Sequence, residues 1–222
     1  MKLSYLDLDV SIEFDETVTT LVVEDVAFLR KIVRELFQQI DGKPGNWVLG
    51  SDSKVMDLKR YGYYVGDIFS IPLNHKNLIT KLQSQYLEYA DVEYELLLEI
   101  NQKVQEYLYR LEANSSIDVS HIEEVTALDL LKISNLHIEE DDNALNNLLI
   151  YCEVVMDLLR PNLVFLVNVR SLLSSDEWKL FCKTMVEKKI PVMCFESHLL
   201  PELSIDSKLE TIYTLDKDLC LI

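Results

Sequence analysis

Apolar residues recur at every third or fourth position in two parts of this chain. Over residues 24–40 the spacing predicts an amphipathic helix, with Glu24 and Asp25 suited to its amino terminus. Residues 76–113 contain neither Gly nor Pro and keep the same spacing for about ten turns. We therefore expect one long helix there, which leaves the main body and pairs with a second helix.

Short apolar runs between turn signals predict strands near both ends of the chain. Residues 2–23 are predicted to form two strands, "LSYLDLDVSIEF" and then "TTLVV". The apolar run "NLVFLVNV" at 162–169 is typical of a strand buried on both faces. A helix is predicted over 176–189, followed by the strand "PVMCFES". Alternating helices and apolar strands predict a parallel α/β sheet.

These elements predict an α/β fold with two domains. Residues 1–75 and 161–222 form a head domain with a mostly parallel sheet, and residues 76–160 form an inserted α-helical leg domain. A helix over 144–159 is expected to return along the long helix. Acidic residues collect at the expected junction of head and leg.

The charge of the chain gives an ambiguous indication of its partners. The formal net charge of −17 argues against a general nucleic-acid binder, because phosphate neutralisation requires Lys and Arg. Most of the net negative charge lies in the middle third, however, and the flanking thirds contain basic clusters that could gather on one face. The candidates for phosphate contact are Arg30, Lys31, Arg34, Lys54, Lys59 and Arg60.

The stretch "GNWVLGSDSK" at 45–54 comes close to the phosphate-binding loop G-x-x-x-x-G-K-[ST]. Ser51 and Asp52 follow Gly50 where Lys and a hydroxyl are required, and Lys54 comes too late. The strand expected to end in an acidic magnesium ligand ends in Asn168. With no H-x-x-x-H or G-x-S-x-G motif either, we expect no enzyme activity.

Four acidic residues lie within twelve positions beside the expected junction: Asp118, Glu123, Glu124 and Asp129. Irregular coordination by carboxylates and backbone carbonyls suits Ca²⁺, although the EF-hand spacing is absent. The residues alone favour calcium here only as a hypothesis, against a solvated acidic face.

The cysteines and the amino terminus indicate the compartment. Cys152, Cys182, Cys194 and Cys220 are scattered without ligand spacing, as expected of reduced structural thiols. Acidic residues interrupt the amino terminus where a signal peptide needs an apolar run, and no stretch is long enough to span a membrane. We expect a cytoplasmic protein.

The order of segments resembles the type II-A CRISPR-associated spacer-acquisition (adaptation) protein, a ring that binds the ends of double-stranded DNA. The matching segments are the amino-terminal hairpin leading into "LVVEDV" at 21–26, the long leg helix, the acidic junction at 117–129, "LVFLVN" at 163–168 and the carboxyl-terminal "LDKDLCLI". The resemblance spans essentially the full length and rests on segment order and chain length.

The resemblance implies a homotetrameric ring that threads linear double-stranded DNA through a basic hole, without catalysis. It implies a head related to P-loop ATPases that has lost the phosphate chemistry, Ca²⁺ bound near head and leg, and partnership with the CRISPR adaptation integrase and effector nuclease. Two alternatives stay open: an acidic DNA mimic that binds a nuclease, and an active ATPase.

Overall fold

The computed structural model describes residues 1–6, 8, 10–14, 16–51, 54–117, 119–198 and 206–222. The strands are β1 (Lys2–Tyr5), β2 (Val10–Glu13), β3 (Val18–Val23), β4 (Trp47–Ser51), β5 (Lys54–Met56), β6 (Gly62–Val65), β7 (Leu163–Val167), β8 (Val192–Glu196) and β9 (Glu210–Leu215). The helices are α1 (Val26–Ile40), α2 (Leu58–Tyr61), α3 (Lys76–Ala90), α4 (Tyr94–Glu112), α5 (Ala127–Ile133), α6 (Ala144–Leu158) and α7 (Ser175–Glu187).

The expected parallel sheet is confirmed. Five strands pair in the order β6-β7-β8-β3-β9, and each neighbouring pair is parallel. Its central strands are almost fully buried, as the continuous apolar runs of β7 and β8 predict. The chain therefore has an α/β fold.

The amino-terminal segment differs from the prediction. "LSYLDLDVSIEF" is not one strand but a hairpin of β1 and β2, because the Leu8 amide bonds the Tyr5 carbonyl and turns the chain. This hairpin joins β4 and β5 in a separate antiparallel sheet of order β2-β1-β4-β5, whereas β3 enters the parallel sheet.

Helix α1 packs against both sheets. The Asp25 side chain accepts the amide hydrogens of Ala27 and Phe28 and so begins the helix. Leu29, Ile32 and Leu36 are buried in one cluster with side chains of both sheets, including Leu3, Trp47, Leu49, Phe165 and Phe195. The Trp47 indole donates to the Ile32 carbonyl at 2.9 Å, which fixes the antiparallel sheet to the helix.

The boundary between the two parts lies earlier than predicted. Contacts divide the chain into one unit of Met1–Pro72 with Glu140–Ile222 and a second, helical unit of Leu73–Glu139. Helix α6 belongs to the first unit and not to the leg, because it packs beside α7, where Lys188 bonds Glu153 at 3.0 Å. The apolar pattern of α6 is compatible with burial against the leg helices, as predicted, and equally with burial against α7.

The long helix of the prediction is two helices. Between α3 and α4, the amides of Val92 and Glu93 bond carbonyls three residues back, which interrupts the α-helical ladder at 91–93. Asp91 and Val92 are weak helix formers, so little local preference opposes the break. Helix α5 packs against α3 near it.

Hydrogen bonds from asparagine side chains to the backbone connect the segments of the helical unit. Its buried apolar side chains, among the described residues, are Leu73, Leu78 and Val125. The buried Asn101 amide bonds both the amide hydrogen and the carbonyl of Val125, at 2.7 and 2.9 Å. Asn74 pairs in the same way with Ile138, at 2.8 and 3.0 Å, and joins the entering and leaving chains.

A buried ion pair lies on the face of the parallel sheet opposite α1. The Arg170 guanidinium donates to Glu210 at 2.9 Å, and the Thr20 hydroxyl donates to the same carboxylate at 2.6 Å. Glu196 accepts the Arg170 backbone amide and the Cys194 thiol, at 2.8 and 3.3 Å. Burial raises the pKa of the Glu196 carboxyl above its usual range.

Replacing Arg170 by Met should destabilise the first unit by about 3–5 kcal/mol, because Glu210 is then a buried charge without its partner. Urea unfolding followed by tryptophan fluorescence measures the change. The double variant Arg170→Met/Glu210→Leu removes both charges and should recover most of the loss. Equal unfolding midpoints for the single variant and the wild type would contradict the assignment.

Candidate DNA-binding surface and acidic segment

The first three residues predicted to bind phosphate share the exposed side of α1. Burial of Leu29, Ile32 and Leu36 fixes the inward face of the helix and leaves Arg30, Lys31 and Arg34 exposed. Arg30 and Arg34 are four residues apart and so lie one turn apart on the same face, with a rise of about 6 Å.

Lys31 also contacts aromatic rings. Its ammonium lies 5.8 Å from the ring centroids of both Tyr5 and Phe28, within cation–π range. The Tyr5 hydroxyl donates to Glu35 at 2.7 Å. Burial is the larger cause that raises the pKa of Tyr5, and the hydrogen bond to the Glu35 carboxylate is the second. Lys31 and the Glu35 carboxylate thus both contact Tyr5, so the surface of this helix carries charges of both signs.

Lys59 and Arg60 lie on α2, which packs against α1. Gly42, in the turn that ends α1, has φ +89, and the Lys59 side chain lies across it. A Cβ added at Gly42 would come within 3.0 Å of Lys59 Cδ, so a side chain there would displace the lysine. The Arg60 guanidinium lies 5.2 Å from the Tyr61 ring centroid.

Lys54 lies on a strand, whereas the other five residues lie on helices. It begins β5 in the antiparallel sheet and pairs with Ser51. The structure therefore places Arg30, Lys31 and Arg34 on α1, Lys59 and Arg60 on α2, and Lys54 on β5.

The glycine pattern at 45–50 does not form a phosphate-binding loop. Gly50 lies inside strand β4, paired with Lys2 and Val55, and the next helix follows only after β5. A P-loop joins a parallel strand to a helix, and here the connection from β3 to α1 is Glu24 and Asp25 alone. The Asp25 carboxylate already bonds the amides that a phosphate would need.

The predicted calcium ligands are placed less favourably than expected. Glu123 and Glu124 are exposed, and Asp118 lies outside the described residues. Asp129 forms a capping box with Thr126 at the start of α5, and the hydrogen bonds from Thr126 lower the pKa of its carboxyl. Among the residues that the structure describes, no three acidic, His or Cys side chains are grouped to hold a metal ion.

The backbone of this acidic segment is fastened to α4. The Gln105 side-chain amide donates to the carbonyls of Ile122 and Glu123, at 3.1 and 2.8 Å. His121 lies between Gln105 and Glu112, with its ring nitrogens 2.9 and 2.7 Å from their oxygens. Each of these two carbonyls therefore already accepts one hydrogen bond.

Along the chain, the segment lies within the helical unit. It runs beside residues 101–112 of α4, whereas the chain crosses between units next to Pro72 and Glu139. The acidic residues at the crossing are Glu139, Glu140, Asp141 and Asp142. Both Asp141 side-chain oxygens accept hydrogen bonds, from the Asn143 amide and the Asn146 side chain.

Comparison with known proteins adds no family to this description. No family model matches the chain, and no curated protein matches it. Within the described ranges, none of the helices combines the length and the apolar character needed to cross a bilayer. The class is thus set by the fold: a parallel α/β unit with a second, helical unit inserted in the chain.

Proposed function

We propose that this protein is a non-catalytic binder of linear double-stranded DNA that works as a homotetrameric ring in CRISPR spacer acquisition. The observation that carries the proposal is the exposure of Arg30, Lys31 and Arg34 along α1, with Lys59 and Arg60 on the adjoining helix α2, in a chain of net charge −17. Cations collected on one surface can bind phosphates while the acids elsewhere remain in solvent.

Recognition is proposed to be independent of base sequence. Guanidinium forks and lysine ammonium groups bind phosphate oxygens, which carry no sequence information themselves. A closed ring admits a duplex only at an end. Glu24 and Asp25 occupy the β3–α1 connection where a P-loop enzyme holds phosphate, which supports binding without nucleotide hydrolysis.

Self-assembly is supported by the apolar surface of the helical unit. Many of the large apolar side chains described there are exposed: Tyr86, Tyr89, Val92, Tyr94, Leu96, Leu98, Tyr107, Tyr109, Leu111, Ile117, Val119, Ile122 and Ile133. One run along α4, from Leu96 through Ile100 and Val104 to Tyr107, recurs at the spacing of a helix-pairing seam. Exposed apolar surface of this extent is typical of an interface.

Changing Leu96 and Tyr107 together to Gln should dissociate the assembly, because their apolar surface would no longer be buried between copies. Light scattering after size exclusion should report four copies for the wild type and one or two for the variant. Leu180→Gln, at an equally exposed apolar position on α7, serves as the control and should remain tetrameric. A wild-type monomer would exclude the ring.

DNA binding is tested by a gel shift with one plasmid, closed circular or linearised, at two salt concentrations. The wild type should prefer the linear form. Arg30→Ala/Arg34→Ala should weaken that binding and reduce the slope of log affinity against log salt by about 0.9 for each phosphate that is no longer neutralised. Lys179→Ala/Lys183→Ala on α7 is the control and should keep the wild-type slope.

Calcium is proposed to bind the acidic segment through Glu123 and Glu124, with Asp118 and Asp129 as the remaining candidates. Glu123 and Glu124 present exposed carboxylates, whereas the carbonyls of Ile122 and Glu123 each accept a hydrogen bond from Gln105. Bound Ca²⁺ would offset part of the acidity of the helical unit and so favour both assembly and DNA binding.

Titration calorimetry of the intact protein with Ca²⁺ measures the calcium affinity directly. Glu123→Gln/Glu124→Gln should lower calcium affinity at least tenfold, because two anionic ligands become neutral. Glu139→Gln/Glu140→Gln removes the same charge at the crossing between the units and should leave the affinity near the wild-type value. The reverse result would move the site to residues 139–142, and no heat with the wild type would remove calcium from the proposal.

The second candidate function is an acidic DNA mimic that occupies the basic groove of a nuclease. The specific observation in its favour is the excess of acidic residues in the helical unit, which include Glu99, Glu106, Glu112, Glu123 and Glu124. The same gel shift distinguishes this candidate function from the ring. A mimic binds neither plasmid form and instead protects DNA from the nuclease.

A further inference from the structure

An apolar groove lies open between the three helices that surround the break at 91–93. Its volume is about 270 Å³, and its lining lies entirely within the helical unit. The lining includes Tyr86 and Tyr89 of α3, Leu96 and Leu97 of α4, and Leu130 and Leu131 of α5. We call this surface the elbow groove. An apolar groove between helices is the kind of surface into which an amphipathic helix lays its apolar face.

The charge that borders the elbow groove is negative. Glu93 is the acidic side chain of the lining, and no lysine or arginine is found among the described residues that border the groove. Glu93 directly precedes α4, yet its side chain is exposed and makes no capping hydrogen bond. Its carboxylate is therefore accessible to a cation of another molecule.

Two tyrosine rings lie beside this carboxylate in the same groove. Tyr86 and Tyr89 are one turn apart on α3, with ring centroids 6.1 Å apart and ring planes inclined at 55°. The face of a tyrosine ring attracts a lysine or arginine side chain, and a carboxylate within reach adds a charge-assisted hydrogen bond. Tyr86, Tyr89 and Glu93 together form a notch for one cationic side chain, next to the leucines of the groove.

The charge of the whole helical unit adds to this preference. Residues 73–139 contain 12 Asp and Glu against 5 Lys and Arg, which gives a net charge of −7. A surface of one sign attracts a partner of the opposite sign and speeds their encounter. The notch and the charge of the unit therefore favour the same kind of occupant.

We propose that the elbow groove is the docking site for a cationic amphipathic helix of a partner protein. The apolar face of that helix packs against Leu97, Leu130 and Leu131, and one of its lysines or arginines lies in the notch. The α4 run proposed for self-assembly adjoins the groove, and Leu96 and Ile100 border both surfaces, but the notch lies outside that run. The inference thus adds a partner surface that neither DNA binding nor assembly requires.

The probe is a fluorescent peptide of Leu, Lys and Ala, about five helical turns long, with leucines along one face and lysines beside them. Its affinity is measured by fluorescence anisotropy at physiological salt. The wild type should bind it about tenfold more tightly than a scrambled peptide of the same composition, because both carry the same charge and only one presents an apolar face. Equal affinity for the two peptides would reveal attraction by bulk charge alone and overturn the site.

Two exposed residues of the notch are tested against matched controls in the same unit. Glu93→Gln should weaken peptide binding several-fold and reduce its salt dependence. Glu95→Gln removes the same charge two residues further on, outside the lining, and should have little effect. Tyr89→Ser should also weaken binding, because a ring face is lost. Tyr94→Ser, at 55% exposure against 57% for Tyr89, lies outside the lining and should keep the wild-type affinity.

Wild-type affinity in both notch variants would reject the proposal. Light scattering separates a partner helix from a second copy of this chain. Glu93→Gln and Tyr89→Ser should leave the number of copies in the wild-type assembly unchanged, and dissociation by either variant would assign the groove to a second copy instead. None of these measurements uses DNA, so their outcome is independent of the proposed DNA binding.

Discussion

The burial of one side of α1 between two sheets is the constraint on which the first unit depends. Leu29, Ile32 and Leu36 must face inwards, and the Trp47 indole fastens the antiparallel sheet to the same helix through the Ile32 carbonyl. Because the inward stripe is fixed, Arg30 and Arg34 can only be exposed. The same packing turns the other face of the antiparallel sheet outwards.

The helical unit follows a different physical logic. Few of its apolar side chains are buried, and its order depends on amide side chains that bond backbone groups in pairs, as Asn101 does with Val125 and Asn74 with Ile138. These hydrogen bonds fix the path of the chain but bury little apolar surface, so they contribute modestly to the free energy of folding. Burial of the exposed side chains of α4 in an assembly would supply what the isolated unit lacks.

Sequence reasoning succeeded where one local pattern dominates. The stripe of α1 and the apolar runs of β7 and β8 have a single compatible environment, and the structure confirms all three. It was wrong about the break at 91–93 and the placement of α6, because both depend on the neighbours that pack there. The pairing of Lys2 with Gly50 could not be predicted from the sequence, since it depends on the register of β1 with β4.

The connection from β3 to α1 links the fold to the proposed absence of catalysis. Amide hydrogens at the start of a helix attract an anion, and in this chain the Asp25 carboxylate occupies them from within. An internal carboxylate stabilises the helix but repels a phosphate at the same place. The fold thus keeps the helix start and gives up an anion site there.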